Sequence, residues 1–202
     1  MANTYAPNGF QMVNQFEGYA PNYTLTTRLI SSANTNKIGY GDVVQSLNTG
    51  FIDIAATTNT QVLGVFFGCE YYDTAQQGGF GQQFSRQWPG VTTASGNILA
   101  YVCQDPTAVF QAQVSGATAI TNSSIGMNVN FTANGVPNTI GFSTAAVDGT
   151  SVSTTNTLPF RIVGLSLQAS LNGLPLPTST PTANNYVLVR LNSCDANQLT
   201  GV

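Results

Sequence analysis

The chain contains no histidine. Histidine is the side chain that changes charge near neutral pH, and it is the commonest general base and metal ligand. Its absence removes Ser–His and Cys–His nucleophile pairs and the usual mixed Cys/His zinc sets. Cysteine is scarce too: Cys69, Cys103 and Cys194 are odd in number, widely spaced and form no C-x-x-C. A disulfide-held scaffold is denser in cysteine. The three are therefore expected to be reduced, small apolar residues of the core. No G-x-x-x-x-G-K-[ST] phosphate loop occurs.

Charge is the greatest shortage. Asp, Glu, Lys and Arg make up 6% of the 202 residues, against about 25% in an ordinary soluble domain. The five cations, Arg28, Lys37, Arg86, Arg161 and Arg190, are scattered, and the net charge is -3. Counterion release from nucleic acid needs clustered cations, and attraction to anionic lipid needs a polybasic patch. The longest apolar run, residues 62–69, is too short to span a bilayer. The first ten residues lack Lys and Arg, so a Sec signal peptide is not expected. Neither nucleic acid nor membrane is expected as a partner. Among the acids only Glu70 and Asp73 are close in sequence. They read as an edge charge and a turn cap rather than as the paired carboxylates of a hydrolase. No catalytic residue, cofactor or metal is expected, and the chain is read as non-enzymatic.

Hydrophobic residues nevertheless reach 42%, enough for a folded core. Ser, Thr, Asn and Gln make up the polar remainder. Such groups are cheaper to dehydrate than ions, which suits permanent packing against other protein. Three N-x-[ST] triplets, at Asn22, Asn122 and Asn130, read as composition rather than as glycosylation signals.

Short apolar or alternating runs separated by Gly, Pro, Asn and Asp predict strands over residues 23–30, 42–47, 51–57, 62–72, 97–104, 107–114, 127–132, 161–168 and 186–192. Asn48-Thr49-Gly50 and Asp105-Pro106 are the turn signals between two adjacent pairs. The run at 62–72 reads as a central strand buried on both faces at its start. Helix signals are limited to residues 117–124. Twenty glycines suit many turns. The expected fold is mainly β, an antiparallel β-sandwich or barrel. Residues 1–22 are expected to form an extended N-terminal arm, residues 23–172 the β-rich core, and residues 173–202 a Pro-rich spacer with a C-terminal strand. Residues 74–83, rich in Gly and Gln, read as a long loop. Two readings of 173–182 stay open: a surface loop, or a spacer that carries the last strand onto a neighbouring subunit.

Aromatics crowd one stretch. Tyr71, Tyr72, Phe80, Phe84 and Trp88 surround Arg86. Aromatic residues with an arginine are typical of interface hot spots and, equally, of cores. The interface candidates are Phe10, Phe16, Tyr71, Tyr72, Phe80, Arg86 and Trp88. Phe80 is favoured because its glycine-rich surroundings supply no local core.

Several segments together look familiar. Met1-Ala2-Asn3-Thr4 with Gly9-Phe10, then Leu63-Gly64-Val65-Phe66-Phe67-Gly68-Cys69-Glu70-Tyr71 and Phe84-Ser85-Arg86-Gln87-Trp88-Pro89-Gly90 come first. Ala100-Tyr101-Val102-Cys103-Gln104-Asp105-Pro106, Val109-Phe110-Gln111-Ala112-Gln113, Ile125-Gly126, Arg161-Ile162-Val163-Gly164-Leu165 and Val187-Leu188-Val189-Arg190-Leu191-Asn192 follow in order. In that order the chain resembles tailed-phage and prophage head proteins of the capsid cement, or decoration, kind. The resemblance implies a structural virion protein, made in the host cytoplasm and placed on the outer capsid surface. Its implied partners are the major capsid protein, whose neighbouring subunits it would clamp, and itself, as a homotrimer. Residues 74–83 and 144–157 fall outside the resemblance. The alternatives are another phage structural subunit (coat, tail or fibre) and a glycan-binding β module that stacks sugar on Trp88 or Tyr71.

Overall fold

A computed structural model of the chain describes residues 4–15, 24–75, 81–116, 118–132, 137–166 and 182–197. Twelve strands occur in them: β1 (Gln11–Gln15), β2 (Thr26–Ile30), β3 (Val43–Ser46), β4 (Ile52–Ile54), β5 (Gly64–Asp73), β6 (Gly81–Ser85), β7 (Ala94–Cys103), β8 (Ala108–Ser115), β9 (Asn128–Val129), β10 (Val147–Asp148), β11 (Phe160–Leu165) and β12 (Tyr186–Leu191). The first sheet runs β1-β8-β12-β11-β9, with the short β10 parallel to β8. The second runs β2-β7-β5-β3-β4, with β6 beside the far half of β5. All other pairs are antiparallel. The two sheets pack face to face as a sandwich, and no barrel closes. Residues 122–124 form a single 3-10 turn, within the stretch read as one turn or a short helix.

The first core lies between the sheets. Phe10 stacks on Phe160 with ring centroids 4.5 Å apart, and Phe131 meets Phe160 edge-on at 6.3 Å. Val65 of β5, Cys103 of β7 and Val43 of β3 close this core from the second sheet. A second core occupies the other face of that sheet. Phe66, Cys69, Ile98, Ala100 and Val102 project there, and Ile38 and Trp88 cover them. The cover is fastened by backbone: Ile38 N–H donates to the Trp88 carbonyl at 3.0 Å, and Trp88 N–H returns the bond at 2.8 Å. The Trp88 indole N–H donates to the Asn34 carbonyl at 3.1 Å.

Strand β5 serves both cores because its residues alternate and then skip. Val65 faces the first core and Phe66 the second. A register shift against β7 falls between Phe66 and Gly68, and Gly68 there has φ +149°. That bulge inserts one residue, so Cys69, three positions after Phe66, returns to the second core. Gly64 opens the strand because nothing larger fits. A Cβ at that position would lie 2.1 Å from the Cys103 carbonyl oxygen.

One buried acid joins the layers. Asp42 is 0% exposed. Its carboxylate accepts from Gly39 N–H at 2.6 Å and from the Ser143 hydroxyl. Around it, Phe10 N–H donates to the Gly41 carbonyl at 3.0 Å and Phe66 N–H to the Asp42 carbonyl at 2.8 Å. Burial pushes the Asp42 carboxyl up to about 7, while the two hydrogen bonds to it pull the other way.

Two expectations change. The expected arm 1–22 is partly inside the fold, since β1 pairs with β8 and Phe10 is buried. Strand β6 begins inside the expected Gly/Gln loop 74–83, although three of its five residues are polar, because it completes the edge of β5. Strand β12 lies between β8 and β11 of its own chain. Residues 173–181 of the expected spacer lie outside the described residues.

Two predictions follow from these contacts. Gly64→Ala forces backbone apart at the sheet centre and should cost about 3 kcal/mol, read as a lowered midpoint in urea with an unchanged slope. Between pH 3.8 and about 7 the folded chain holds a proton on Asp42 that the unfolded chain has released. Stability is therefore lost as pH rises through that window. Relative to Asp42→Asn, which cannot titrate, the wild type should lose on the order of 4 kcal/mol between pH 4 and pH 8. Parallel stability curves for the two proteins would contradict this.

Candidate functional site: an open apolar strip on the second sheet

The first sheet covers only part of the second. On the face that meets the first core, Val65, Phe67, Leu25 and Cys103 are packed against it. Farther along the same face the covering stops. Pairing registers place Leu29 opposite Leu99, Leu99 opposite Glu70, and Glu70 opposite Phe84. Directly paired residues share a face. These four therefore form one row across β2, β7, β5 and β6. At the usual strand spacing the row spans roughly 14 Å. Leu29 is 42% exposed and Phe84 is 72% exposed. Thr27 and Tyr101 flank the row on the covered side, and Tyr72, 45% exposed, pairs with Gln82 on the other.

The strip has a single ionisable acid, and it is engaged. The Glu70 carboxylate accepts from the Tyr101 hydroxyl at 3.2 Å and from the Gln82 side-chain amide. Holding both oxygens fixes Glu70 across the strip and shields apolar surface on either side. Large solvent-exposed apolar groups in a contiguous row mark interaction sites more often than singly scattered ones.

The candidate residues fall into different places. Tyr72 belongs to the strip. Tyr71 points to the second core, edge-on to Trp88 at 5.2 Å, and burial raises its phenol above the usual range. Arg86 sits outside the strip, its guanidinium 4.8 Å over the Phe142 ring. Phe10 and Trp88, expected at an interface, are 0% exposed and belong to the first and second cores. The reason is local in both cases. Gly9 and Gly41 bring the chain close enough to seat Phe10, and the Ile38–Trp88 bridge folds Trp88 over the sheet. A sugar platform on Trp88 is incompatible with that burial. Phe16 and Phe80 lie outside the described residues. Leu29 and Leu99 were not singled out from sequence. The signal was present in period 2, since both sit on the opposite face from Ile30, Ile98 and Ala100.

Three clefts among the described residues carry little chemistry. One of about 320 Å³ is lined by Gln45, Ser46, Asn59, Gln61 and Asp195 among others. There the Asp195 oxygens accept from Ser46 at 2.5 Å and Gln61 at 2.7 Å. Another, of about 460 Å³, holds Asp53, which accepts from Asn34 and Asn36 at 2.9 Å each. The third, of about 310 Å³, lies beside Lys37. None has two carboxylates in its lining. No group of three or more His, Cys, Asp or Glu suited to a metal ion occurs among the described residues. The three cysteines are free and buried, and burial pushes the Cys69 thiol up to about 12. A thiol so protonated is a poor nucleophile. Comparison with protein-family models, curated proteins and solved structures gives no match.

Core and strip should respond oppositely to truncation. Trp88→Ala should cost about 3–5 kcal/mol of stability. Phe84→Ala should stay within about 0.5 kcal/mol of wild type. Equal losses, measured by thermal or urea unfolding, would contradict this division.

Proposed function

We propose that this chain is a structural virion protein, a capsid cement or decoration protein that binds neighbouring major capsid subunits on the outer shell surface, with three copies per assembly. The observation that carries the reading is the open row Leu29–Leu99–Glu70–Phe84 with Tyr72, in a chain with very little charge. Aromatic and aliphatic side chains on a rigid sheet lose little conformational freedom on docking. Their uncharged surroundings lose little hydration. The ordered resemblance of eight segments to phage head proteins points the same way. A shell under pressure from packaged DNA gains from added buried interface rather than from a reaction. A specific interface buries about 1,200–2,000 Å², and repetition over a shell lets modest contacts act together.

The experiment is reconstitution. Shells lacking the protein, mixed with it, should co-sediment with it and melt at a higher temperature, because a ligand that binds only the intact state stabilises that state. Phe84→Ser should weaken binding at least about tenfold, as loss of a hot-spot anchor does. A protein that ignores shells, or a Phe84→Ser variant that binds as well as wild type, would contradict the proposal.

A further inference from the structure

We propose that copies of this chain join edge to edge, β6 of one against β2 of the next, and so close a ring. The two strands form opposite edges of the half-sheet that bears the open strip. Strand β2 pairs with β7 alone and β6 with β5 alone among the described residues. Each is five residues long. Neither pairing contains a register shift, and neither strand contains proline or lysine. Proline, lysine and bulges are among the devices that keep an exposed edge from recruiting another strand. Both edges lack all three. Arg28, the single charge on the two strands, is turned aside to Gln104 at 3.1 Å.

The two edges also match each other. Strand β2 is antiparallel to β7, β7 to β5, and β5 to β6, so β6 runs opposite to β2. A second copy laid alongside therefore continues the antiparallel ladder. The register that sets Phe84 beside Leu29 of the next copy places Ser85 beside Arg28 and Gln83 beside Ile30. It extends the apolar row of one copy into the row of the next, with an aromatic–aliphatic cross-strand pair at the junction. A foreign strand would need to match one edge. The complementarity of two edges of the same chain in length, direction and apolar position points to a second copy. Such a contact is heterologous, and it generates a ring when its rotation closes. The number three rests on the cement reading, and the pairing of edges does not.

Paired cysteines test the register. Side chains directly opposite on antiparallel strands lie within disulfide reach, and the chain's own cysteines are buried. After mild oxidation without shells, Leu29→Cys/Phe84→Cys should run as covalent multimers on a non-reducing gel. Each single variant should run as one chain, and a mixture of the two singles should give dimers and nothing larger. A double variant that stays as one chain, or a single variant that links to itself, overturns the proposal. Hydrogen exchange on the wild-type chain tests it without substitution. Outward-facing amides of β2 and β6 should exchange at least tenfold more slowly than in an unpaired strand, and fast exchange in a concentrated sample overturns the pairing. Rings that form yet ignore shells would contradict the cement reading and leave the edge pairing standing.

Discussion

Burial of β5 on both faces is the constraint around which the other layers are arranged. Val65 and Phe66 point in opposite directions, and each requires its own cover. The first sheet supplies one and the Ile38–Trp88 bridge the other. Gly64 lets the Cys103 backbone come close, and the bulge at Gly68 keeps Phe66 and Cys69 on the same side. The doubly buried part of the strand, Gly64 to Cys69, carries no charge, and its two acids, Glu70 and Asp73, lie beyond it. The shortage of ionic residues is thus matched by interior polar groups that are mostly neutral and hydrogen-bonded. Asn185 shows how: its side chain both accepts from Ile120 N–H, at 3.2 Å, and donates to the Ile120 carbonyl, at 2.9 Å.

The same strand explains why the molecule has an open surface at all. Past Phe67 the first sheet no longer covers β5, and the strand continues with Glu70 and Tyr72 on a face that its own chain leaves exposed. A row of leucine, phenylalanine and tyrosine there leaves apolar surface in solvent, most of all at Phe84. Its cost in exposed apolar surface is recovered only when something packs against it. The proposed role would use this surface: the sheet is covered over one part by its own fold and left open over the other.

Much of this architecture was legible in the sequence. The two-faced character of β5 was visible as a continuous apolar run, Asn48-Thr49-Gly50 marked the β3–β4 hairpin, and Asp105-Pro106 marked the turn after β7, which carries the chain from the second sheet to the first rather than closing a hairpin. Strands β1 and β6 were not visible, because Gln11–Gln15 and Gly81–Ser85 carry few β-branched residues. They are held by pairing with β8 and β5, and such tertiary pairing overrides weak local preference. The aromatic stretch 71–88 was read as one cluster, whereas alternation divides it. Tyr71 and Trp88 go inward, and Tyr72 and Phe84 go outward. Nothing in spacing alone distinguishes those two sides until the register of β5 with β6 and β7 is known.

The most direct test of the central claim is an image of the protein in place. A cryo-electron microscopy reconstruction of decorated shells, at a resolution that shows side chains, would reveal which face meets the coat. The account predicts that Tyr72, Phe84 and Leu99 are buried against a coat subunit. Density that leaves those side chains facing solvent, with the coat bound elsewhere, would contradict it.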